Sequence, residues 1–176
     1  MRYFLGFDLD AKSKIALDDW RNKALPKFER AVPAKNFHIT SVFLGQVKEQ
    51  QLDHLCSAIQ DSEFHNFNLQ INTLGYWSKP KILWLGGTQI PQQMLQINKR
   101  LTEFSQQAGL NIPIREYIPH VTLVRNAKSN PPAPLFAPDF ELKIGQLHLF
   151  ESVSGKNGVQ YPIRQSWSLS PSIRPR

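Results

Sequence analysis

Two stretches of sequence decide the fold: FHITSVFLG at residues 37–45 and IPHVTLV at residues 118–124. β-Branched and aromatic residues dominate both, which predicts one β-strand over 37–44, closed by a glycine, and a second over 118–124. Each strand places a histidine two residues before a threonine, His38 and Thr40 in the first, His120 and Thr122 in the second. Residues i and i+2 of a strand lie on the same face, so we expect each imidazole beside a hydroxyl.

The same patterns extend outward along the chain. Apolar residues spaced by three and four predict helices at about 11–25, 48–61 and 91–108. Alternating or β-branched runs predict the remaining strands, at 3–9, 67–73, 82–87, 140–144, 147–149 and within 159–169. Four prolines between residues 128 and 138 predict a loop, and Gly145, where the alternation changes phase, predicts a bulge.

Strand, helix and strand follow one another twice in this order. The two motif histidines are 82 residues apart in a chain of 176, which is close to half its length. We therefore predict an α+β protein, a single bilobal domain over residues 1–176. Its two pseudo-repeated lobes are expected to be mostly antiparallel sheet with helices outside, and each contains one motif strand.

Composition excludes several classes of protein. With 41% hydrophobic and 11% aromatic residues the chain can bury a core, unlike a disordered chain. A single cysteine excludes a disulfide scaffold, and no apolar run approaches the roughly 20 residues of a membrane span. The formal charge of +7 favours polyanionic partners such as nucleic acid or phosphorylated metabolites. Because residues 1–6 lack the long apolar region of a secretory signal, we expect a cytoplasmic protein.

A single His-x-Thr motif in a strand is usually a hydrogen-bonded polar pair with no catalytic role. Five histidines and five threonines in 176 residues give a chance expectation of about 0.14 such spacings, so two on equivalent strands point to function. Histidine titrates near neutral pH, and threonine donates to anionic oxygens. No CxxC or paired His and Cys spacing suggests zinc, so we expect neither metal nor cofactor. We expect Cys56 to be a small buried hydrophobe, and the other histidines to be surface or structural residues: His54, His65 and His148.

The paired motifs resemble those of the two-histidine phosphoesterase superfamily. The likeness is to its LigT branch, the RNA 2′,3′-cyclic phosphodiesterases also called 2′-5′ RNA ligases, and FLGFDL at 4–9 and WLG at 84–86 add to it. Ser41 departs from the family pattern, which more often has an apolar residue there, but alternation turns that side chain away from the histidines. The resemblance implies a bilobal fold with both motifs lining a central cleft. It also implies hydrolysis of RNA 2′,3′-cyclic phosphate ends, with reversible 2′-5′ joining as a further expectation.

In-line attack on phosphorus places the nucleophile and the leaving oxygen on opposite sides, so one histidine can serve each. The resemblance implies that His38 is the proton donor to the 3′ oxygen and His120 the acceptor that activates water, leaving a 2′-phosphomonoester. The sequence alone does not assign these two roles. Thr40 and Thr122 would donate to the non-bridging oxygens, and no metal is then needed.

Three further residues are predicted to bind substrate. Arg125 matches an arginine that often follows the second motif, although strict alternation places it, like Phe43 after the first motif, on the face away from the histidines. Phe7 and Trp77, with Tyr76, are candidates for stacking on a terminal base, and core packing is the alternative for each. Basic residues near predicted loops could steer the RNA backbone, or simply be solvated: Lys79, Lys81, Arg115, Lys128 and Arg164.

Three functions remain open at this point. The first is the RNA-end phosphodiesterase, acting as a monomer on RNA with a 2′,3′-cyclic phosphate or a 2′-5′ linkage, tRNA-like fragments included. The second is a phosphodiesterase for a small cyclic nucleotide such as ADP-ribose 1″,2″-cyclic phosphate. The third is a non-catalytic module that binds RNA ends through its basic charge.

Overall fold

The computed structural model describes residues 1–172. Its helices are α1 (Ala11–Ala24), α2 (Glu49–Gln60) and α3 (Gln92–Gln107), and a short 3₁₀ turn spans Ala34–Asn36. Its strands are β1 (Arg2–Asp8), β2 (His38–Gln46), β3 (Phe67–Ile71), β4 (Thr73–Trp77), β5 (Ile82–Gly86), β6 (His120–Val124), β7 (Phe140–Ile144), β8 (Gln146–Gly155), β9 (Gly158–Gln160) and β10 (Ile163–Ser168).

All three predicted helices are present, with local signals at their ends. Asp10 caps α1, since its carboxylate accepts a 2.7 Å hydrogen bond from the Ser13 backbone N–H, and that bond lowers the pKa of Asp10. Beyond the last turn of α3, Gly109 has φ +88°, a left-handed conformation that glycine adopts without steric cost. The predicted loop over 128–138 contains no helix or strand.

The strand predictions hold less well in two places. The strand expected over 67–73 ends at Ile71, and Thr73 begins β4, which the sequence pattern missed. Every residue of β4 is half-buried, so it lacks the alternation that predicts a strand. Gly145 is not a bulge. It is the one-residue link between β7 and β8, which belong to different sheets, and this explains the change of phase.

The strands form two antiparallel sheets. The larger has eight strands in the order β10-β8-β1-β2-β6-β5-β4, with β9 paired to β8, and the smaller joins β3 to β7. The α+β class with mostly antiparallel sheet is therefore confirmed. The repeat is present as β1-α1-β2 and β5-α3-β6, in which the two strands of each unit pair directly with each other.

The two halves of the large sheet meet between β2 and β6. These strands share a single residue pair, Ile39 with Val121. Beyond it, β6 pairs with the segment 30–32 instead, since the Val32 N–H donates to the Leu123 carbonyl at 2.8 Å. The motif strands therefore touch at one point and then diverge. The division of residues 1–176 into two lobes of one domain remains a prediction.

One face of the large sheet is buried under the rest of the molecule. Ile39 and Val121 have no exposed surface, and α3 packs over β2, where the Asn98 amide donates to the Ser41 carbonyl at 2.9 Å. The small sheet packs on the same side, with Phe67 edge-on to Phe7. The opposite face is left for the motif histidines and threonines. Among the helices within residues 1–172, none combines the length and apolar character that crossing a membrane requires.

Candidate active site

The motif side chains meet at the junction of the two halves. Because Ile39 pairs with Val121 in antiparallel register, counting one residue either way sets His38 opposite Thr122, and Thr40 opposite His120. All four of these polar side chains are half-buried, whereas the two apolar residues between them are fully buried on the other face. Each imidazole therefore neighbours both its own threonine and the threonine of the other motif.

Both imidazoles are held in the same way. His38 Nδ1 lies 2.7 Å from the Asn36 carbonyl oxygen, and His120 Nδ1 lies 2.8 Å from the Ile118 carbonyl oxygen. A carbonyl only accepts, so Nδ1 carries the proton that it donates. In the neutral ring Nε2 is then left with a free lone pair, able to take a proton from a reacting group. Each ring thus uses the backbone two residues before it, a local feature that the sequence analysis missed.

The surroundings of His38 are aromatic and closed. Its ring centroid lies 4.9 Å from that of Phe4 and 4.8 Å from that of Tyr161. Burial is the largest influence and lowers the pKa of His38 from 6.5 to about 4, with smaller lowering by the charges of Arg125 and His120. The hydrogen bond to Asn36 and the carboxylate of Asp8 oppose this shift. His38 is therefore neutral at pH 7 in the free protein.

His120 is surrounded by tryptophan. Its ring centroid lies 4.6 Å from that of Trp77, at an interplanar angle of 81°, and 6.0 Å from that of Trp84. Burial lowers the pKa of His120, and the charge of Arg125 lowers it further, while the hydrogen bond to the Ile118 carbonyl raises it. Trp77, a predicted base-stacking residue, therefore lies beside His120. Trp84 is a second neighbour of His120, which the sequence analysis missed.

Arg125 reaches the site because β6 carries a bulge. Compared with β5, β6 has one extra residue at Leu123, and both Leu123 and Val124 are buried. The extra residue resets the alternation, so Arg125 returns to the histidine face, and its charge lowers the pKa of both motif imidazoles. The bulged carbonyl of Leu123 accepts hydrogen bonds from Val32 N–H and, at 2.7 Å, from the buried guanidinium of Arg21. The expectation from strict alternation was wrong here.

Phe43 is brought to the same face by an equivalent bulge. Compared with β1, β2 has one extra residue at Ser41, and both Ser41 and Val42 are buried. Phe43 is 59% exposed, and its ring contacts Phe4, which also lies beside His38. Strict alternation was wrong for Phe43 as well. Phe43 and Arg125 are 82 residues apart, the spacing of the two histidines, so the repeat includes the bulges.

Comparison with known proteins finds similar phosphoesterases. A family model described as LigT like phosphoesterase matches residues 10–84, which include the first motif. An RNA 2′,3′-cyclic phosphodiesterase of Escherichia coli K12 is 28% identical over 173 residues, covering 96% of this chain and 97% of that protein. One of Methanocaldococcus jannaschii is 24% identical, covering 95% of this chain and 100% of that protein.

Solved structures extend the agreement to the whole fold. A crystal structure of a phosphoesterase matches with a TM-score of 0.88 at 27% identity, covering 96% of this chain and 98% of that one. Escherichia coli LigT complexed with 3′-AMP matches with a TM-score of 0.87 at 27% identity, covering 96% of this chain and 97% of that one. The chain is thus similar to LigT-like phosphoesterases in both sequence and fold.

One predicted contact residue lies away from the motif histidines. Phe7 has no exposed surface and packs edge-on against Phe67 in the core. The prediction that it stacks on a base is wrong, because β1 turns Phe7 toward the buried face and Gly6 and Asp8 toward the histidines. Tyr76 is half-buried, and its hydroxyl donates to the Ala127 carbonyl at 2.8 Å, so it stabilises the loop after β6.

Asp8 is an acidic neighbour that the sequence analysis missed. It pairs with His38 across β1 and β2, and its carboxylate raises the pKa of His38 and of His148. Lys14 forms a 2.9 Å ion pair with Asp8. A cavity of about 50 Å³ adjoins these side chains and is also lined by Lys35. Only strand pairing reveals this cluster, since a single acid at the end of an apolar strand carries no signal.

The remaining candidate residues lie outside the motif pair. His54 is exposed, while His148 is buried with its Nδ1 2.7 Å from the Ser166 hydroxyl. Cys56 is half-buried, and burial raises the pKa of its thiol. Arg164 forms a 2.6 Å ion pair with Glu151, and the other four predicted basic residues are exposed. Over residues 1–172 no group of three or more His, Cys, Asp or Glu side chains is arranged to hold a metal ion.

Proposed function

We propose that this protein hydrolyses the 2′,3′-cyclic phosphate at RNA ends to a 2′-phosphomonoester. The observation that carries the proposal is the arrangement of the two His-Thr pairs around Ile39 and Val121, with both Nδ1 atoms held by backbone carbonyls. Two imidazoles and two hydroxyls, carried by β2 and β6, then lie where they can surround one phosphate group. The relatives named RNA 2′,3′-cyclic phosphodiesterase support the same reaction.

The two histidines divide the proton transfers. Water attacks phosphorus in line with the leaving 3′ oxygen, so the base and the acid act from opposite sides. His120 accepts the proton of the attacking water at Nε2, and His38 donates a proton to the departing 3′ oxygen, as the family resemblance implies. The P–O3′ bond breaks, a P–O bond to the water oxygen forms, and the phosphate remains on the 2′ oxygen.

Three donors stabilise the charge that builds on the non-bridging oxygens. Thr40 and Thr122 each lie opposite the other motif's imidazole, and we assign their hydroxyls as donors to the non-bridging oxygens. Arg125 adds a permanent positive charge on the same face, close enough to lower the pKa of both imidazoles. We therefore propose that the reaction needs no metal ion.

The negative charge of the bound substrate favours the protonated form of His38, which is the form that donates a proton. In the free protein the pKa of His38 is about 4, so its donor form is scarce at pH 7. A bound phosphate is an anion beside the ring, and an opposite charge within a few ångströms favours protonation. Substrate binding therefore raises the protonated fraction of His38. Asp8 assists, because its carboxylate raises the pKa of that ring.

Phe43 takes the base-binding role that the sequence analysis assigned to Phe7. It is 59% exposed on the histidine face of β2. RNA ends are often recognised by stacking of an unpaired base on an aromatic side chain. Phe43 therefore stacks on the base of the nucleotide that carries the cyclic phosphate.

The test is turnover of an oligonucleotide with a 2′,3′-cyclic phosphate in buffer containing EDTA. The expected product is a 2′-phosphomonoester, recognised by ³¹P NMR and by removal with alkaline phosphatase. Loss of turnover on chelation would contradict the metal-independent reaction, and a 3′-phosphomonoester would contradict the leaving group. Faster turnover of ADP-ribose 1″,2″-cyclic phosphate would favour the small-nucleotide alternative. Tight binding without turnover between pH 5 and pH 8 would favour the RNA-binding module.

A further inference from the structure

The bulges of the two motif strands lie at equivalent positions of the repeat. Ser41, at the bulge of β2, and Leu123, at the bulge of β6, are 82 residues apart, which is the spacing of the two histidines. Each bulge returns the residue two positions later, Phe43 or Arg125, to the histidine face. The contacts that hold the two bulges therefore set the direction of these side chains.

The bulge of β6 is held by the helix of the first half of the repeat. Arg21 of α1 is buried, and its Nη1 donates to the Leu123 carbonyl at 2.7 Å and to the Val32 carbonyl at 2.8 Å. The Val32 N–H donates to the same Leu123 carbonyl at 2.8 Å. Next along this pairing, the Arg125 N–H donates to the Arg30 carbonyl at 3.2 Å. Arg21 thus fixes both the bulge and the segment that pairs with the backbone of Arg125.

The bulge of β2 is held in the same way by the helix of the second half. The Asn98 side chain of α3 donates to the Ser41 carbonyl at 2.9 Å. α1 and α3 occupy the same place in the two strand-helix-strand units. Each helix therefore donates to the bulged carbonyl of the other half's motif strand, so that the two contacts cross between the halves.

Stability alone does not account for burying Arg21. Removing a guanidinium from water is costly, and an apolar side chain of similar volume often stabilises a protein as well or better. The ion pair of Arg21 is with Asp18, whose side chain is 36% exposed, and its buried Nε has no hydrogen-bond partner within residues 1–172. The guanidinium does supply a rigid, permanently charged donor for two carbonyls at once, which fixes one geometry of the bulge.

We propose that Arg21 and Asn98 are positioning residues that act on the substrate through the two bulges. Arg21 directs Arg125 toward the phosphate. Asn98 directs Phe43 toward the base. Both positioning residues contact the strands from the buried face, where Arg21 Cζ lies 5.0 Å from the ring centroid of buried Phe37. The inference rests on the proposed function, in which Arg125 and Phe43 bind the substrate.

The first test is a double-mutant cycle on hydrolysis of the cyclic-phosphate oligonucleotide. Arg21→Met removes the donors and is expected to lower kcat/KM about tenfold, because Arg125 is no longer held against the phosphate. In the Arg125→Gln background the same change should lower kcat/KM less than about twofold, since the residue that it positions is already gone. In the Phe43→Ala background the whole loss should remain.

The second test is the corresponding cycle for Asn98. Asn98→Ala is expected to raise KM about threefold with little change in kcat, because the base contact is weakened and the reacting groups stay in place. The rise should disappear in the Phe43→Ala background and persist in the Arg125→Gln background. Lys23→Met and Lys99→Ala, at exposed residues of the same two helices, are the matched controls and should leave kcat and KM unchanged.

Proton NMR titration of His38 and His120 provides a measurement that does not depend on turnover. The charge of Arg125 lowers the pKa of both rings. Arg21→Met should therefore raise both pKa values, as Arg125→Gln does, and should add nothing in the Arg125→Gln background. Leu55→Ala, at a buried residue of α2, is the control for lost stability and should leave both titrations unchanged.

The outcomes separate the two positioning roles from each other. An equal loss from Arg21→Met with and without Arg125, or unshifted titration of both rings, overturns the role of Arg21. An equal rise in KM from Asn98→Ala with and without Phe43 overturns the role of Asn98.

Two further outcomes are decided in advance. If Arg21→Met does not fold, Arg21→Lys replaces it, and this point donor should lower kcat/KM about threefold only when Arg125 is present. Full activity of Arg21→Lys would then overturn the role of Arg21. If the unchanged protein hydrolyses no cyclic phosphate, the proposed function fails, and the titration of His38 and His120 still decides whether Arg21 positions Arg125.

Discussion

The two motif strands are built alike and surrounded differently. Each carries a histidine anchored on the carbonyl two residues before it, a threonine, a bulge and a residue returned to the histidine face by that bulge. In the first half the returned residue is the aromatic Phe43, and in the second it is the cation Arg125. The first imidazole lies between the buried ring of Phe4 and the partly exposed ring of Tyr161, and the second lies beside two partly exposed tryptophans. The repeat therefore sets the reactive geometry, and the residues around it make the two sides of the phosphate unequal.

Removing either imidazole should have the largest effect. His38→Ala and His120→Ala are each expected to slow cyclic phosphate hydrolysis about 10²–10⁴-fold, because each loses one proton transfer. A phosphodiester with a p-nitrophenolate leaving group separates the two halves, since that group departs without a proton. On this substrate the defect of His38→Ala should shrink at least tenfold, whereas His120→Ala should stay slow.

Exposed His54 supplies the matched control for the imidazole variants. His54→Ala should hydrolyse both substrates at the rate of the unchanged protein. If His120→Ala, and not His38→Ala, regains activity on the p-nitrophenyl ester, the acid and base assignments are reversed.

The second motif strand differs from the first in the positive charge of Arg125. Arg125→Gln is expected to lower kcat/KM for the cyclic phosphate about 10–100-fold, the range of a lost charge-assisted hydrogen bond. It should also raise the pKa of both imidazoles, because the guanidinium charge lowers each of them. Proton NMR titration of the His38 and His120 rings measures this, and Lys128→Gln, at an exposed lysine nearby, is the control. Unshifted titration curves would place Arg125 away from the site.

His38 and His120 should differ in how they make stability depend on pH. The pKa of His38 is about 4 folded against an ordinary 6.5, so between these values the unfolded chain binds a proton that the folded chain does not. The contribution is fully present above pH 6.5 and is lost as pH falls toward 4. We expect a loss on the order of 2 kcal/mol, read from urea unfolding at several pH values.

His38→Gln should flatten this pH dependence more than His120→Gln does. The pKa of His120 is also lowered by burial, but both of its tryptophan neighbours are partly exposed, whereas Phe4 and Phe150 beside His38 are buried. Equal slopes in the two variants would refute the difference in enclosure between the two imidazoles.

Phe43 should give the smallest effect on activity. Phe43→Ala is expected to raise KM about fivefold to tenfold with little change in kcat, because a stacked base is lost while the reactive groups stay in place. Phe43→Tyr keeps the ring and is the control. A fall in kcat at unchanged KM would assign Phe43 to support of Phe4 and His38 instead.

Much of the fold could be predicted from the sequence, because helix spacing and strand alternation are local patterns. The three helices, both motif strands and the proline-rich loop were all predicted near their observed positions. β4 could not be predicted, since it lies at the sheet edge with every residue half-buried. The sequence also predicted the wrong face for Phe43 and Arg125. Each lies beyond a bulge, and a bulge is defined only by the pairing with the neighbouring strand.

The sequence by itself determined the candidate catalytic residues, which are two His-x-Thr motifs, each on one face of a strand. It also determined the repeated order of strands and helices. A period of two residues is enough to place each imidazole beside its hydroxyl. Only the tertiary structure decided which side chains join them. The pairing of Ile39 with Val121 brings the motifs together, the bulge clamped by Arg21 returns Arg125 to the site, and packed aromatic rings lower the pKa of His38. Register and burial depend on distant parts of the chain, and no local pattern encodes them.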